Sequence, residues 1–339
     1  MNETTLPPEA VSWRERLGPY LPHLIVPIVA LLGLMLMGNF PAWATLTIAG
    51  IAMGMMIFVM ASGLTLVFGL MDILNFGHGA FISLGAFVGA SVLLALTGLT
   101  GSTSLLANLL AIGAALLAAV AVSGALGFLF ERVIVRPVYG AHLKQILVTM
   151  GGLIIAEQLI HLIWGPNAIP LPRPTALRGS WSFGEVVVEK YRMAAVMLGL
   201  VIFAALHWAL VKTRLGLLIR AGVENREMVE AMGYRVQRLF VLVFVAGSAL
   251  AGLGGVMWGL YDELITAHMG LDILILIFIV VIIGGLGSVQ GCFVGALLVG
   301  LMANYTGYLA PKIALGSNIL LMVVILMWRP QGLLPAAKS

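Results

Sequence analysis

Three residues able to hold or pass polar groups stand close together in an otherwise apolar run. They are Asp72, Asn75 and His78, in Gly69-Leu70-Met71-Asp72-Ile73-Leu74-Asn75-Phe76-Gly77-His78-Gly79. An acid, an amide and an imidazole at three-residue spacing could line a polar constriction. They could equally form a wet turn, with Asp72 in solvent and His78 capping the next helix. Glu157 and His161 lie four apart, so on a helix they share a face and either satisfy each other or relay a proton. His207 falls near the end of an apolar run and reads as interfacial. No His, Cys or carboxylate group has the spacing of a metal site, and no nucleophile stands in a Ser-His-Asp or Cys-His arrangement. The single cysteine, Cys292, cannot form an internal disulfide. These residue types suit the passage of a solute better than covalent chemistry, and the expectation is a protein that is not an enzyme.

The elements that position them must be membrane helices. Of 339 residues, 61% are hydrophobic and 9% charged, with a mean hydropathy of +1.09. Soluble chains carry about 25% charged residues, so a water-soluble globule is excluded. A span needs about 20 apolar residues. Residues 17–71 hold two spans, broken at Gly38-Asn39-Phe40-Pro41, and 73–130 hold two more, split by the turn-rich stretch 97–104. Single spans follow at 145–164, 193–211 and 239–261. Residues 273–311 give two short spans, or one span and a re-entrant segment, broken at Gly284-Gly285-Leu286-Gly287-Ser288, and 313–328 give a last one. The expected fold is all-α and polytopic: one membrane domain over 1–339 with about eight to ten transmembrane or re-entrant helices. Glycines at four-residue spacing (Gly50/Gly54, Gly85/Gly89, Gly287/Gly291/Gly295) predict close helix packing. Ala42-Trp43-Ala44 mimics a signal cleavage site, but another span follows at once, so an uncleaved first helix is expected. Gly79–Gly85 resembles Gly291–Leu297, which suggests parallel copies of one segment.

Charge sets the orientation. With ten segments and a cytoplasmic N-terminus, the inner regions 1–20, 131–144, 212–238 and 329–339 hold thirteen of the 18 Lys and Arg residues. Outside remain Arg173, Arg178, Lys190, Arg192 and Lys312, and the outer loop 261–272 has Asp262, Glu263 and Asp272 with no cation. Both termini are therefore expected in the cytoplasm. The outer loop 165–192, rich in proline, is expected to be irregular or a short hairpin, facing the periplasm and open to a periplasmic partner.

The loop 212–238 is the largest cytoplasmic segment. Residues 223–232 suit a short amphipathic helix, with Val229 and Met232 near one face and Gly233 placed to stop it. It is either a solvated connector or a helix that docks into a cytoplasmic partner. No run fits the Walker A pattern, so any ATP must be bound by another chain. Gly285-Leu286-Gly287 has the wrong spacing and flanks for a dinucleotide loop. Nothing points to nucleic acid.

Three blocks resemble the permease subunits of branched-chain amino acid ABC importers, the hydrophobic amino acid uptake family. The first is Gly63–Gly79, with its Asn75-Phe76-Gly77-His78-Gly79. The second is the loop 214–233, which carries Arg220-Ala221, Asn225 and Gly233. The third is Gly284–Gly291 followed by Gly295-Ala296, and the closing Arg329-Pro330-Gln331-Gly332 fits as well. Gly77, Glu230 and Gln290 depart from the usual pattern. The resemblance implies a place in the bacterial inner membrane, a second homologous permease, two cytoplasmic ATPase subunits that bind ATP, and a periplasmic binding protein that delivers the solute. It makes Arg220, Ala221, Glu224, Asn225, Glu227, Glu230 and Gly233 the ATPase-coupling segment. Asp72, Asn75, His78, Gly285, Gly287 and Ser288 are the candidate pathway residues. Urea or short-amide importers use the same permease type, and a self-sufficient channel or secondary transporter is the alternative from another class.

Overall fold

A long apolar run in hydrocarbon must satisfy its own backbone groups, which leaves helix as the available structure. The computed structural model, which describes residues 21–335 apart from Asn225, contains thirteen α-helices among the described residues. They are α1 (Leu21–Met37), α2 (Phe40–Met71), α3 (His78–Ala95), α4 (Thr97–Thr100), α5 (Leu105–Phe130), α6 (His142–Trp164), α7 (Lys190–Lys212), α8 (Arg214–Glu224), α9 (Arg226–Ala231), α10 (Val236–Asp262), α11 (Met269–Gly284), α12 (Val289–Leu309) and α13 (Ala314–Trp328). Seven are long and apolar enough to cross a membrane, and α1, α11 and α13 contain shorter apolar helices. Each of the ten expected hydrophobic segments is thus a helix. The breaks fall where the turn residues stand. Gly38 takes φ +62 and Asn39 caps α2 by accepting from the Ala42 N–H. Gly285 and Gly287 take φ +101 and +78 between α11 and α12. The tail 1–20 and residues 336–339, which carry Arg14, Arg16 and Lys338, lie outside the described residues.

The core forms around α2, which packs on α12 along one face and α10 along another. Small residues set how close these helices come, as their spacing predicts. A Cβ on Gly54 would stand 2.7 Å from the Ala296 carbonyl oxygen of α12, and one on Gly63 2.4 Å from the Gly247 oxygen of α10. The outer faces of α5, α6 and α7 are apolar and exposed, with Leu117, Leu162 and Val201 among the residues that project.

Two hinges repeat each other in inverted sense. α2 ends at Met71, Asp72 takes a left-handed backbone with φ 52, a short extended segment turns back, and α3 starts at His78. α10 ends at Asp262, Glu263 takes φ 58, a segment of equal length turns back, and α11 starts at Met269. These two acids are the described non-glycine residues with positive φ. The second helices of the two hinges meet head to head. A Cβ on Gly79 would lie 2.8 Å from the Gly270 oxygen, and one on Gly270 2.0 Å from the Gly79 oxygen. Ser83 of α3 ties the joint, donating to the Ala267 carbonyl and accepting from the Gly270 N–H. The likeness of the hinges pairs α3 with α11, whereas sequence likeness pairs α3 with α12.

At the end of the bundle opposite Asp72, residues 165–189 form a small cap. β1 (Ile169–Pro170) pairs with β4 (Leu264–Ile265), and β2 (Ser180–Phe183) with β3 (Val186–Glu189) form the expected hairpin. Arg173 latches this cap to the end of α10. Its guanidinium donates to the Leu260 and Tyr261 carbonyls and to Glu189, and lies 3.1 Å from Glu263.

Candidate functional site

The loop 212–238 lies at the same end of the bundle as Asp72 and the 285–288 turn. Thr213 Oγ1 accepts the Gly216 N–H at 3.2 Å and starts α8. Leu215, Leu218, Ile219 and Gly222 then recur at helical spacing, and Leu218, Ile219 and Ala221 pack on the core. Gly222 is packed against α2, where a Cβ would meet the Leu70 side chain at 3.2 Å. The described residues of the helix expected over 223–232 are helical as far as Ala231, in the end of α8 and in α9, but helix begins earlier, at Arg214. The earlier start follows from the Thr213 cap and the 215/218/219/222 periodicity, two signals that the sequence reading passed over. Gly233 ends α9 with φ +86, its N–H reaching the Glu230 carbonyl and the Tyr234 N–H the Val229 carbonyl. Val229 is buried, while Glu227, Glu230, Met232 and Tyr234 are exposed. Arg220 is exposed and Ala221 half-buried. Glu224 is the last residue of α8, and Asn225 lies outside the described residues.

The 285–288 turn stands beside this arm. Gly285 is covered by the closing segment, where a Cβ would lie 2.8 Å from Pro335 Cα. The Leu333 and Leu334 N–H groups donate to the Ile283 and Gly284 carbonyls and pin that segment in place. A Cβ on Gly69 of α2 would lie 2.9 Å from Gly287 Cα. Ser288 caps α12 by accepting from the Gly291 N–H. A cavity of about 390 Å³ opens between Gly69, Ile219, Arg220, Gly287, Ser288 and His207. Two of the candidate pathway residues and one coupling candidate therefore share a single cavity, which a linear reading had kept apart.

The remaining pathway candidates divide differently. Asp72 is exposed, 4.0 Å from His142. Asn75 and His78 are buried at 1% and 0% exposure. His78 Nε2 lies 2.8 Å from the Met60 carbonyl oxygen. A carbonyl only accepts, so Nε2 carries the proton and Nδ1 faces the interior as a bare acceptor. The Phe76 N–H donates to Thr149 of α6. In this conformation Asn75 and His78 hold the first hinge and open onto no solvent.

The second hinge carries a group that sequence reading saw only in part. Glu157 and His161 do share a face, 4.0 Å apart. His268 closes on the same carboxylate, with Nδ1 2.9 Å from Glu157 Oε1, and its Nε2 stands 4.0 Å from Asp272. Asp272, expected in an outer loop, lies in the first turn of α11. The charge-free run begins only after Asp272, whereas the helix begins before it. Among the described residues no group of three or more acids, histidines or cysteines has the geometry of a metal site.

Residues 46–328 match the family described as the permease component of branched-chain amino acid transport systems. The chain belongs to that permease family. Among similar proteins, the LivH permease protein of the high-affinity branched-chain amino acid transport system of Escherichia coli K12 is 26% identical over 294 residues, 84% of this permease and 93% of LivH. The BraD permease protein of Pseudomonas aeruginosa is 28% identical over 302 residues, 84% of this permease and 93% of BraD. LivM of Escherichia coli K12 is 28% identical over 326 residues, 87% of this permease and 70% of LivM. No solved structure matches. The permease's polar features thus lie at three places: the α8–α9 arm, the turn and cavity beside it, and the two hinges.

Proposed function

We propose that this permease forms one half of the translocation pathway of an ABC importer for branched-chain amino acids in the bacterial inner membrane. The end bearing α8 and α9 faces the cytoplasm, with both termini on that side, and the Arg173 cap faces the periplasm. A second, homologous permease completes the pathway, two cytoplasmic ATPase subunits bind the ATP, and a periplasmic binding protein delivers the solute. The relatedness to both LivH and LivM, two permease proteins named for one transport system, supports a paired permease.

The observation that carries the reading is the build of the arm. α8 is wedged between α2, through Gly222 and Leu70, and the cavity it shares with the 285–288 turn. α9 presents exposed Glu227, Glu230, Met232 and Tyr234 beyond it. A push on α9 is therefore transmitted to α2 and to the α11–α12 turn. Nucleotide-driven closure of the ATPase pair would bias the pathway between its two open states in this way.

Substituting Glu230→Arg and Gly233→Arg in the assembled complex tests this. Gly233→Arg also forces a side chain into a positive-φ position. The expected result is loss of ATPase co-purification together with loss of ATP-driven leucine uptake. Intact co-purification with normal uptake contradicts the reading.

A further inference from the structure

The geometry points to the cluster of Glu157, His161, His268 and Asp272 as a wall of the aqueous pathway, where its carboxylates receive the α-ammonium of the passing solute. This rests on the importer reading above and deepens it. Measured along its helices, the cluster lies well inside the end of the bundle that bears the Arg173 cap. Glu157 is seven residues, about 10 Å of rise, inside the end of α6. Asp272 is two residues beyond the joint of Gly270 with Gly79, and Gly79 is about 24 Å of rise from the end of α3. Yet the Asp272 and His268 side chains are 69% and 54% exposed on this chain, and Glu157 and His161 are 18% and 32% exposed. Ionisable groups at such depth face water or protein in preference to lipid.

The other flank of α3 is apolar throughout. The groove between α3, α5 and α6, about 470 Å³, is lined by Leu84, Leu129, Ile155, Leu159 and Ile163 with no charged residue. Glu157 and His161 project from α6 away from that groove and toward α11. The described contacts of the cluster include no Lys or Arg, so its two carboxylates are faced by histidine rings alone. A zwitterion with an apolar side chain needs an acceptor for its ammonium within the layer, and apolar contact beside it. Ile154 and Ile275, both exposed, border the acids on α6 and α11.

The test uses the assembled importer in proteoliposomes. Asp272→Cys should react with a charged, membrane-impermeant thiol reagent, while Ile163→Cys in the apolar groove should not. The native Cys292 is fully buried and silent. Leucine with its binding protein and ATP should slow labelling at position 272, and 4-methylpentanoate, which lacks the ammonium, should not. Asp272→Asn and Glu157→Gln should each lower maximal leucine uptake about tenfold, the loss of one charge-assisted hydrogen bond, with ATP hydrolysis retained. An unreactive Asp272→Cys variant, or wild-type uptake by both amide variants, overturns the inference. Absence of leucine uptake by the unmodified complex would instead overturn the importer reading, and labelling of the Asp272→Cys variant would still report the aqueous wall.

Discussion

The two hinges share a backbone and divide the chemistry. Each ends a long helix at an acid in left-handed conformation, Asp72 or Glu263, and each starts a helix whose glycine meets the other's. At the first hinge the polar side chains turn inward: Asn75 and His78 are buried, and His78 spends its proton on the Met60 carbonyl. At the second they turn outward: His268 and Asp272 are exposed, and His268 engages Glu157 from a neighbouring helix. The contrast shows that position in a repeat does not assign function. On the proposal above, the sealed hinge belongs to the frame and the open one meets the solute.

The strongest way to break this comparison is at the joint both hinges share. Gly270→Val places side-chain atoms within reach of the Gly79 backbone, which cannot yield without parting α3 from α11. The expected outcome is no monodisperse permease on size exclusion in detergent, and normal recovery would show that the head-to-head contact is dispensable. Next comes Arg173→Ala, which frees two α10 carbonyls and one oxygen of the Glu189 carboxylate, the other staying with Arg192. The Glu263 contact is half exposed and adds little. A loss of about 2–4 kcal/mol is expected, read as a lower melting temperature in detergent. His78→Ala separates the hinges more finely. It should cost about 1–3 kcal/mol through the lost hydrogen bond and packing, while the surviving protein transports the same solutes. A change in solute preference would move His78 from the frame to the pathway. The smallest effect belongs to Asp72→Asn. The site is exposed and asparagine tolerates its backbone, so stability should move by no more than about 0.5 kcal/mol.

Much of the fold was legible because hydrocarbon imposes a simple rule. Charge-free runs located all ten apolar helices, and turn residues such as Gly38-Asn39 and Gly285–Ser288 located the breaks. The second hinge was not legible, because the charge-free run that marks this span begins only after Asp272. Asp272 sits in a helix, and its nearest partner, His268, lies in the hinge that leads into it. The start of α8 is written in Thr213 and the leucines after it, a cap and a period that the basic charge of the loop masks. Of the candidate site, Gly287, Ser288 and Arg220 were named for separate reasons, and only folding brought them to one cavity. Glu157 and His161 were paired correctly, and His268 could not have been, since more than a hundred residues separate it from Glu157.

The central claim is that the α8–α9 arm is cytoplasmic and lies under the ATPase. Met232, exposed at the end of α9, allows a direct measurement. Met232→Cys should resist an impermeant thiol reagent in intact cells, react once the inner membrane is opened, and be protected when the ATPase subunits are bound. Labelling of that cysteine from outside intact cells would contradict the account.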